Sequence, residues 1–315
     1  MNSMSASNRF APSLARAALF CAALSLTPIA VHAQDADPDD DDVIIVEGER
    51  IETADVRNTA RDITVGSQAT QSPLSRFQRP VCPGIWGMTQ DNAQAVLDRI
   101  VFNALQANIP VAEEPDCGAN VWVIVVDDAA ATFERLQEED SFLTRHLTSY
   151  QERKVRDQDS YALGWNLITT RNPETGVQLP TGWYATQGIV DAASAGLPPP
   201  GNEIRSMSRL TLGIRTDIEL SVVLVERAAL ADIDSVALAD YATMRLFAYT
   251  EPPSEDDPVA TVLTLFNRNA DDSRPLRMTA FDRAYLRALY RSSPTRPARI
   301  ALGNISDAME TIDTP

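Results

Sequence analysis

The chain has 315 residues, of which 44 are acidic and 27 are basic, so its formal net charge is −17. This balance argues against a nucleic-acid-binding protein and against one that binds anionic membrane surfaces, because both partners are negatively charged themselves. It does not select any other class of partner.

The first 33 residues have the parts of a secretory signal peptide. Arg9 and Arg16 precede an apolar run over residues 17–26, and Val31-His32-Ala33 fits a small-x-small cleavage site. We therefore predict cleavage near Ala33 and a periplasmic or secreted product. An uncleaved anchor helix is the alternative, although the run is short for a bilayer. Cleavage would remove two arginines and no acidic residue, giving a mature charge of −19, and no later stretch is apolar enough to cross a membrane.

Residues 34–75 form an acidic leader that we predict to be largely disordered. The aspartates between Asp35 and Asp42 lack the ordered ligand spacing of a Ca²⁺ loop, so a solvated tail is favoured. The following run, Val43-Ile44-Ile45-Val46, resembles the segment that opens the mature chain of TonB-dependent outer-membrane receptors. Since the rest of the chain lacks the strands of such a receptor, the resemblance implies a docking strand for a periplasmic partner. An edge strand on the protein's own domain is the alternative.

Cys82 and Cys117 are the cysteines of the mature chain, because Cys21 lies in the signal segment. An even number in an exported protein predicts a disulfide between them. The alternative is a cysteine nucleophile with His146 as its base. His146 lies among charged residues, which favours a surface position, and an oxidising compartment favours the bridge.

Residues 76–197 are predicted to form an N-terminal α/β lobe, with ordered chain beginning near Phe77. Apolar periodicity and start signals define its elements. They are a helix from Thr89 or Asp91 to before Pro110, a central strand Val121–Val126, a helix Ala129–Glu138, a helical segment 141–157, and a hairpin from Tyr161 to Tyr184 that carries Trp165 and Trp183. A proline-rich loop, 195–202, leads out of this lobe.

Residues 203–315 are predicted to form a C-terminal lobe. Its elements are a strand over Ile218–Val225, a covered helix over Val236–Tyr249, a helix started by Asp257-Pro258 with Val259, Val262, Leu263 and Phe266 on one face, a helix with a Thr279/Asp282 capping box, and a last helix over 298–310. The two lobes together predict a mixed α/β (α+β) fold, in which helices pack on a central mixed sheet. One large domain and two small ones both fit this length.

The order of strand, covered helix, short helix and the sequence AFDRAYLRALY resembles the second half of a bacterial family related to metzincin-type peptidases. In active relatives the covered helix carries His-Glu-x-x-His, whose two histidines bind zinc while the glutamate acts as base. The corresponding helix here, Leu238–Met244, has no such pair. The resemblance implies a zincin-like lobe without a metal, in which Asp240, Thr243 and Met244 line a groove. For Asp240, a buried carboxylate bonded to the backbone is the favoured alternative.

Signatures of catalysis are missing from the sequence, including G-x-S-x-G and glycine-rich phosphate loops. We therefore predict no catalytic residue, metal ligand or cofactor. The resemblance to zincins implies an exported pseudo-peptidase that binds a peptide or a periplasmic protein, since active relatives bind peptide at a sheet edge and that ability needs no metal. The alternative is a hydrolase that uses carboxylates on cell-envelope glycan or peptide. Two close carboxylates in a cleft, one with a raised pKa, would favour that alternative.

Overall fold

The computed structural model describes residues 52–65, 72–114, 117–198, 201–204, 208, 210–254, 256–270, 273–306 and 308–309. All of them belong to one compact unit, Arg50–Pro315. Within these residues the chain forms eight α-helices and a four-stranded mixed sheet, which confirms the predicted mixed α/β fold. The predicted signal peptide and the docking strand Val43–Val46 lie outside the described residues.

The sheet joins strands from both predicted lobes. The strands are β1 (Pro83–Trp86), β2 (Val121–Val126), β3 (Ala162–Arg171) and β4 (Arg215–Glu226). Their order is β1-β2-β4-β3, with β1, β2 and β4 parallel and β3 antiparallel to β4. The predicted strands Val121–Val126 and Ile218–Val225 therefore lie in the two central strands, β2 and β4.

Helices cover both faces of the sheet. They are α1 (Thr53–Asp62), α2 (Gln90–Gln106), α3 (Ala129–Glu138), α4 (Ser149–Arg156), α5 (Gly182–Ser194), α6 (Ser235–Phe247), α7 (Ala280–Arg291) and α8 (Ala298–Ala301). Val223 and Val225 of β4 enter the core that contains α2, α6 and α7. Val222 and Leu224 enter the core under α3 and α4. Successive strand residues point to opposite faces, so β4 must be apolar on both sides.

Side-chain caps mark the starts of α6 and α7. The Asp234 carboxylate accepts a hydrogen bond from Ala237 N at 2.8 Å, and α6 begins at the next residue. Thr279 and Asp282 form the predicted capping box of α7. These side chains satisfy backbone N–H groups that have no partner inside the helix. All residues of α6 from Ala237 to Phe247 are buried, as its composition predicts.

The predicted hairpin over residues 161–184 is wrong in most of its second half, which pairs with β3 only at the Arg171–Gln178 bridge. β3 ends at Arg171 and a turn follows, but its antiparallel partner is β4, and residues 182–194 form α5 instead. Trp165 packs against Phe133 of α3, with ring centroids 5.2 Å apart, and donates its indole N–H to Leu143 O. Burial against a distant strand and helix outweighs pairing with the adjacent segment.

The helix predicted from Asp257-Pro258 is also wrong. Only a 3-10 turn, Val262–Thr264, forms there, although the predicted apolar face is buried. The side chains of Asp257 and Thr261 accept hydrogen bonds from N–H groups two residues further on, which competes with helix formation. The helical segment predicted over 141–157 is shortened to α4, because a capping box at Thr148 begins a new helix.

Ordered chain begins earlier than the predicted boundary near Phe77, since α1 lies within the predicted leader. Val56, Ala60 and Ile63 are buried in the larger core. The Thr64 and Tyr285 hydroxyls lie 2.7 Å apart, and Glu251 N donates to Ile63 O at 2.8 Å. Part of the leader therefore packs on the same body as α7.

The Cys82–Cys117 disulfide is present, with Cα atoms 6.0 Å apart and 35 residues of separation. Closing a loop of this length stabilises a fold by roughly 3–4 kcal/mol in the chain-entropy account. The bond fits an extracytoplasmic protein, because cytosolic thiols are kept reduced. In the part of the chain described, no helix has both the length and the apolar character needed to span a bilayer.

Candidate functional site

The residues predicted to line a groove on α6 lie inside the protein. Asp240, Thr243 and Met244 have side chains that are 0% exposed. Because α2 packs across this side of α6, the predicted groove is closed at these positions. Asp240 and Thr243 nevertheless bond residues that line a surface pocket, since Asn103 donates to both of them.

Asp240 holds three parts of the fold together. Its carboxylate accepts two hydrogen bonds from Arg99, at 2.6 Å to Oδ1 and 3.0 Å to Oδ2. Asn103 Nδ2 donates to Oδ1 at 2.9 Å, and Met278 N donates to Oδ2 at 3.0 Å. Both carboxylate oxygens are therefore used in bonds that join α6 to α2 and to the segment before α7.

A pocket of about 140 Å³ lies above this carboxylate, between α2 and α7. Arg99, Asn103 and Met278 line it while also bonding Asp240. We call it the arginine pocket, and its lining residues are Arg99, Phe102, Asn103, Gln106, Ala107, Met278, Arg283, Leu286 and Arg287. Sequence reasoning missed it, because its two walls are distant in the chain. The signal in the sequence that could have indicated the pocket is the pair Arg283 and Arg287, which are four residues apart on α7.

A larger depression lies between the loop before β3 and the loops that follow α6, and its smaller part reaches the carboxyl end of β4. Its main hollow measures about 840 Å³ and an adjoining hollow about 450 Å³. We call both together the edge cleft. The main hollow is lined by residues 157–160, 251–254, 257–261, 267–270 and 273–275, with Lys154 and Thr264. The adjoining hollow reaches Glu226, where β4 ends, and Ala129, where α3 begins after β2.

Charged side chains of both signs line the edge cleft. Lys154 Nζ lies 3.3 Å from Glu251 Oε2, and Arg268 Nε lies 3.2 Å from Asp159 Oδ1. The Arg268 guanidinium also lies 4.6 Å from the centroid of the Tyr161 ring, where the two hollows meet. Exposed ion pairs of this kind contribute little stability, so a ligand's own charges can replace them at small cost.

Two carboxylates with raised pKa values lie outside the edge cleft and the arginine pocket. Burial raises the pKa of Asp282, whose carboxylate accepts hydrogen bonds from Val262 N and Thr279 N, both at 2.9 Å. Burial also raises the pKa of Asp217, although Arg215 Nε lies 3.0 Å from it. These shifted groups therefore serve capping and sheet packing. Among the described residues, no cluster of three or more His, Cys, Asp or Glu could hold a metal ion.

Replacing Asp282 with asparagine is expected to change how stability depends on pH. The folded protein holds the Asp282 proton more tightly than the unfolded chain, because the pKa is raised above its ordinary value of 3.8. The resulting stabilisation is complete below pH 3.8 and is lost as pH rises through the raised pKa. Asp282→Asn cannot titrate, so it should gain stability relative to wild type as pH rises. Urea denaturation of both proteins from about pH 4 to pH 7 tests this, and a constant difference would refute it.

The outer edge of β3 is closed over part of its length. Gly164 N donates to Gln158 Oε1 and Gln158 Nε2 donates to Gly164 O, both at 2.9 Å. Gln151 Nε2 donates to Asn166 O at 3.3 Å. The Gln158 amide thus takes the place that a peptide group of a neighbouring strand would occupy. An added strand could pair at these residues only by displacing the glutamine side chains.

The remaining candidate residues, Cys82, Cys117 and His146, do not form a catalytic pair. Cys82 and Cys117 are bonded to each other, which overturns the alternative of a cysteine nucleophile. His146 is exposed, in the turn before α4.

The described residues define a mixed α/β protein with helices on both faces of the sheet and a cleft that reaches the carboxyl end of β4. Comparison of the chain with protein-family models, with curated proteins and with solved structures finds no match. The resemblances to metzincin-type peptidases and to the opening segment of TonB-dependent receptors therefore stay predictions.

Proposed function

We propose that this protein is an exported, non-catalytic pseudo-peptidase that binds a peptide, or an extended segment of a periplasmic protein, in the edge cleft. The observation that carries the proposal is the cleft itself, about 840 Å³ with an adjoining 450 Å³. The adjoining hollow lies at the carboxyl end of β4, the side on which open α/β sheets bind ligands, and the main hollow has the volume of a ligand pocket. The predicted signal peptide ending near Ala33 and the Cys82–Cys117 disulfide support export to the periplasm or the medium.

The walls of the edge cleft suit a polar, extended ligand. Pro252, Pro253, Pro258 and Pro275 line the main hollow, and proline restricts the backbone of the loops that carry it. A restricted wall loses little entropy when a ligand binds. The edge cleft has six acidic and four basic side chains, so it favours a segment that carries net positive charge.

Replacing Ala260 with tryptophan tests this assignment. Ala260 is exposed on the cleft wall, so an indole there should fill the main hollow without disturbing the core. We expect binding of fluorescein-labelled decapeptides with randomised central residues to fall by about tenfold or more, measured by fluorescence anisotropy. The matched control is Ala95→Trp, on the exposed side of α2 and outside both sites, which should bind as wild type does.

Three outcomes would contradict the proposal. They are no peptide binding by the wild-type protein, equal losses in the two tryptophan variants, and zinc at one per chain by elemental mass spectrometry.

The alternative function, a carboxylate-dependent hydrolase acting on cell-envelope glycan or peptide, is motivated by the acidic side chains of the cleft. It predicts that the wild-type protein shortens bound peptides, which mass spectrometry of the incubated peptides would detect.

A further inference from the structure

We propose that the arginine pocket binds a carboxylate that is attached to a short apolar group. The pocket combines three arginines with an apolar floor in a volume of about 140 Å³. It is a different site from the edge cleft, so the inference does not rest on the proposed function.

The arginines give the pocket a local excess of positive charge in a protein whose net charge is −17. Asp240 neutralises Arg99 and holds it in place through two hydrogen bonds. Arg283 donates to Met278 O, and Arg287 donates to Gln106 O at 3.4 Å, so these two guanidinium groups bond neutral carbonyls. Within the described chain, no carboxylate lies at salt-bridge distance from Arg283 or Arg287.

A guanidinium group pairs most favourably with a planar anion that accepts two parallel hydrogen bonds, which is the geometry of a carboxylate. Arg283 and Arg287 are four residues apart on α7 and therefore lie on the same face of the helix. Since both are half-buried, a bound carboxylate would be partly shielded from water and its attraction to them strengthened.

The floor of the pocket is apolar. Ala107, Met278 and Leu286 are buried beneath it, and the Phe102 ring stands at its rim with 49% of the residue exposed. The guanidinium carbon of Arg99 lies 5.2 Å from the centroid of that ring, which holds both groups at the rim. A cavity of about 150 Å³ can hold a benzene molecule. The pocket therefore has room for an apolar group no larger than about benzene, such as a leucine side chain.

Two sources supply this chemistry: a free short-chain carboxylic acid, and the C-terminus of a peptide that ends in an apolar residue. Isothermal titration calorimetry of the mature, oxidised protein with four probes separates them. The probes are 4-methylpentanoate, 4-methylpentanamide, the tripeptide Ala-Ala-Leu, and the same tripeptide with an amidated C-terminus.

Each carboxylate should bind at least about tenfold more tightly than the corresponding amide, because charge-assisted hydrogen bonds are lost in the amide. Tighter binding of the tripeptide identifies a peptide C-terminus, and tighter binding of 4-methylpentanoate identifies a free acid. Equal binding of acids and amides, or no binding of any probe, would overturn the proposal.

Two pairs of variants locate the site. Arg287→Gln should weaken carboxylate binding about tenfold, whereas Arg291→Gln removes an equal charge from the same helix outside the pocket and should have little effect. Phe102→Ala should weaken binding of both acids, whereas Leu105→Ala, exposed on the same helix, should not. Thermal unfolding of each variant checks that the fold is retained. Wild-type affinity in Arg287→Gln and in Phe102→Ala would remove the pocket from consideration.

Discussion

Replacing Arg99 with alanine is expected to lower the free energy of unfolding by about 3–5 kcal/mol, because it leaves a buried carboxylate without its cation. Asp240 is 0% exposed, and Arg99 supplies two of its hydrogen bonds, at 2.6 and 3.0 Å. Asn103 and the Met278 N–H would remain, but two neutral donors do not compensate a buried charge. Urea denaturation at neutral pH, with the disulfide oxidised, measures the loss.

A matched control for Arg99→Ala is Arg135→Ala. Arg135 is exposed on α3 and bonds the Thr132 hydroxyl, so its removal should change stability by less than about 0.5 kcal/mol. The double variant R99M/D240L, which removes both charges and keeps apolar volume, should recover part of the loss. A loss below about 1 kcal/mol in Arg99→Ala would show that this ion pair does not anchor α6.

Replacing Gly164 with alanine is expected to destabilise the protein by about 3 kcal/mol or more. A Cβ atom at this position would lie 2.6 Å from Arg245 Nη2 and 2.7 Å from Nε. Arg245 is 2% exposed, and its guanidinium donates to three neutral acceptors, Gln158 Oε1, Gly164 O and Thr250 O. Moving it would break bonds that compensate a buried charge, which adds to the steric cost.

The control for Gly164→Ala is Gly303→Ala. No atom lies within 4 Å of a Cβ built at Gly303, so alanine there should be neutral or slightly stabilising. Urea denaturation of both variants and of the wild type measures the two changes in the free energy of unfolding. Equal stability of Gly164→Ala and wild type would mean that Arg245 has room to move, contrary to the packing described above.

Much of the secondary structure could be predicted because its signals are local. Asp234 and the Thr279/Asp282 pair begin α6 and α7 by bonding N–H groups three residues away. Ala129–Glu138 is a helix with the predicted bounds. The local signals misled where side chains offered the backbone another bond, as at Asp257 and Thr261.

The candidate sites could not be predicted in the same way. The arginine pocket needs Arg99 of α2 beside Arg283 and Arg287 of α7, and no local pattern brings these residues together. The adjoining hollow of the edge cleft depends on where β2 and β4 end together, which follows from the parallel register of Val126 with Glu226. The main hollow depends on how the loops after α6 lie beside the loop before β3. Both sites are consequences of strand order and helix packing.

The sequence by itself determined the net charge of −17, the Cys82–Cys117 pairing and the apolar strands, because composition and short-range periodicity carry that information. Only the tertiary structure decided that β3 pairs with β4, that Asp240 is buried, and that α1 packs on the core. The physical reason is the distance along the chain over which each kind of interaction acts. Caps and periodicity act within a few residues, whereas strand pairing and charge compensation depend on which distant surfaces are buried together.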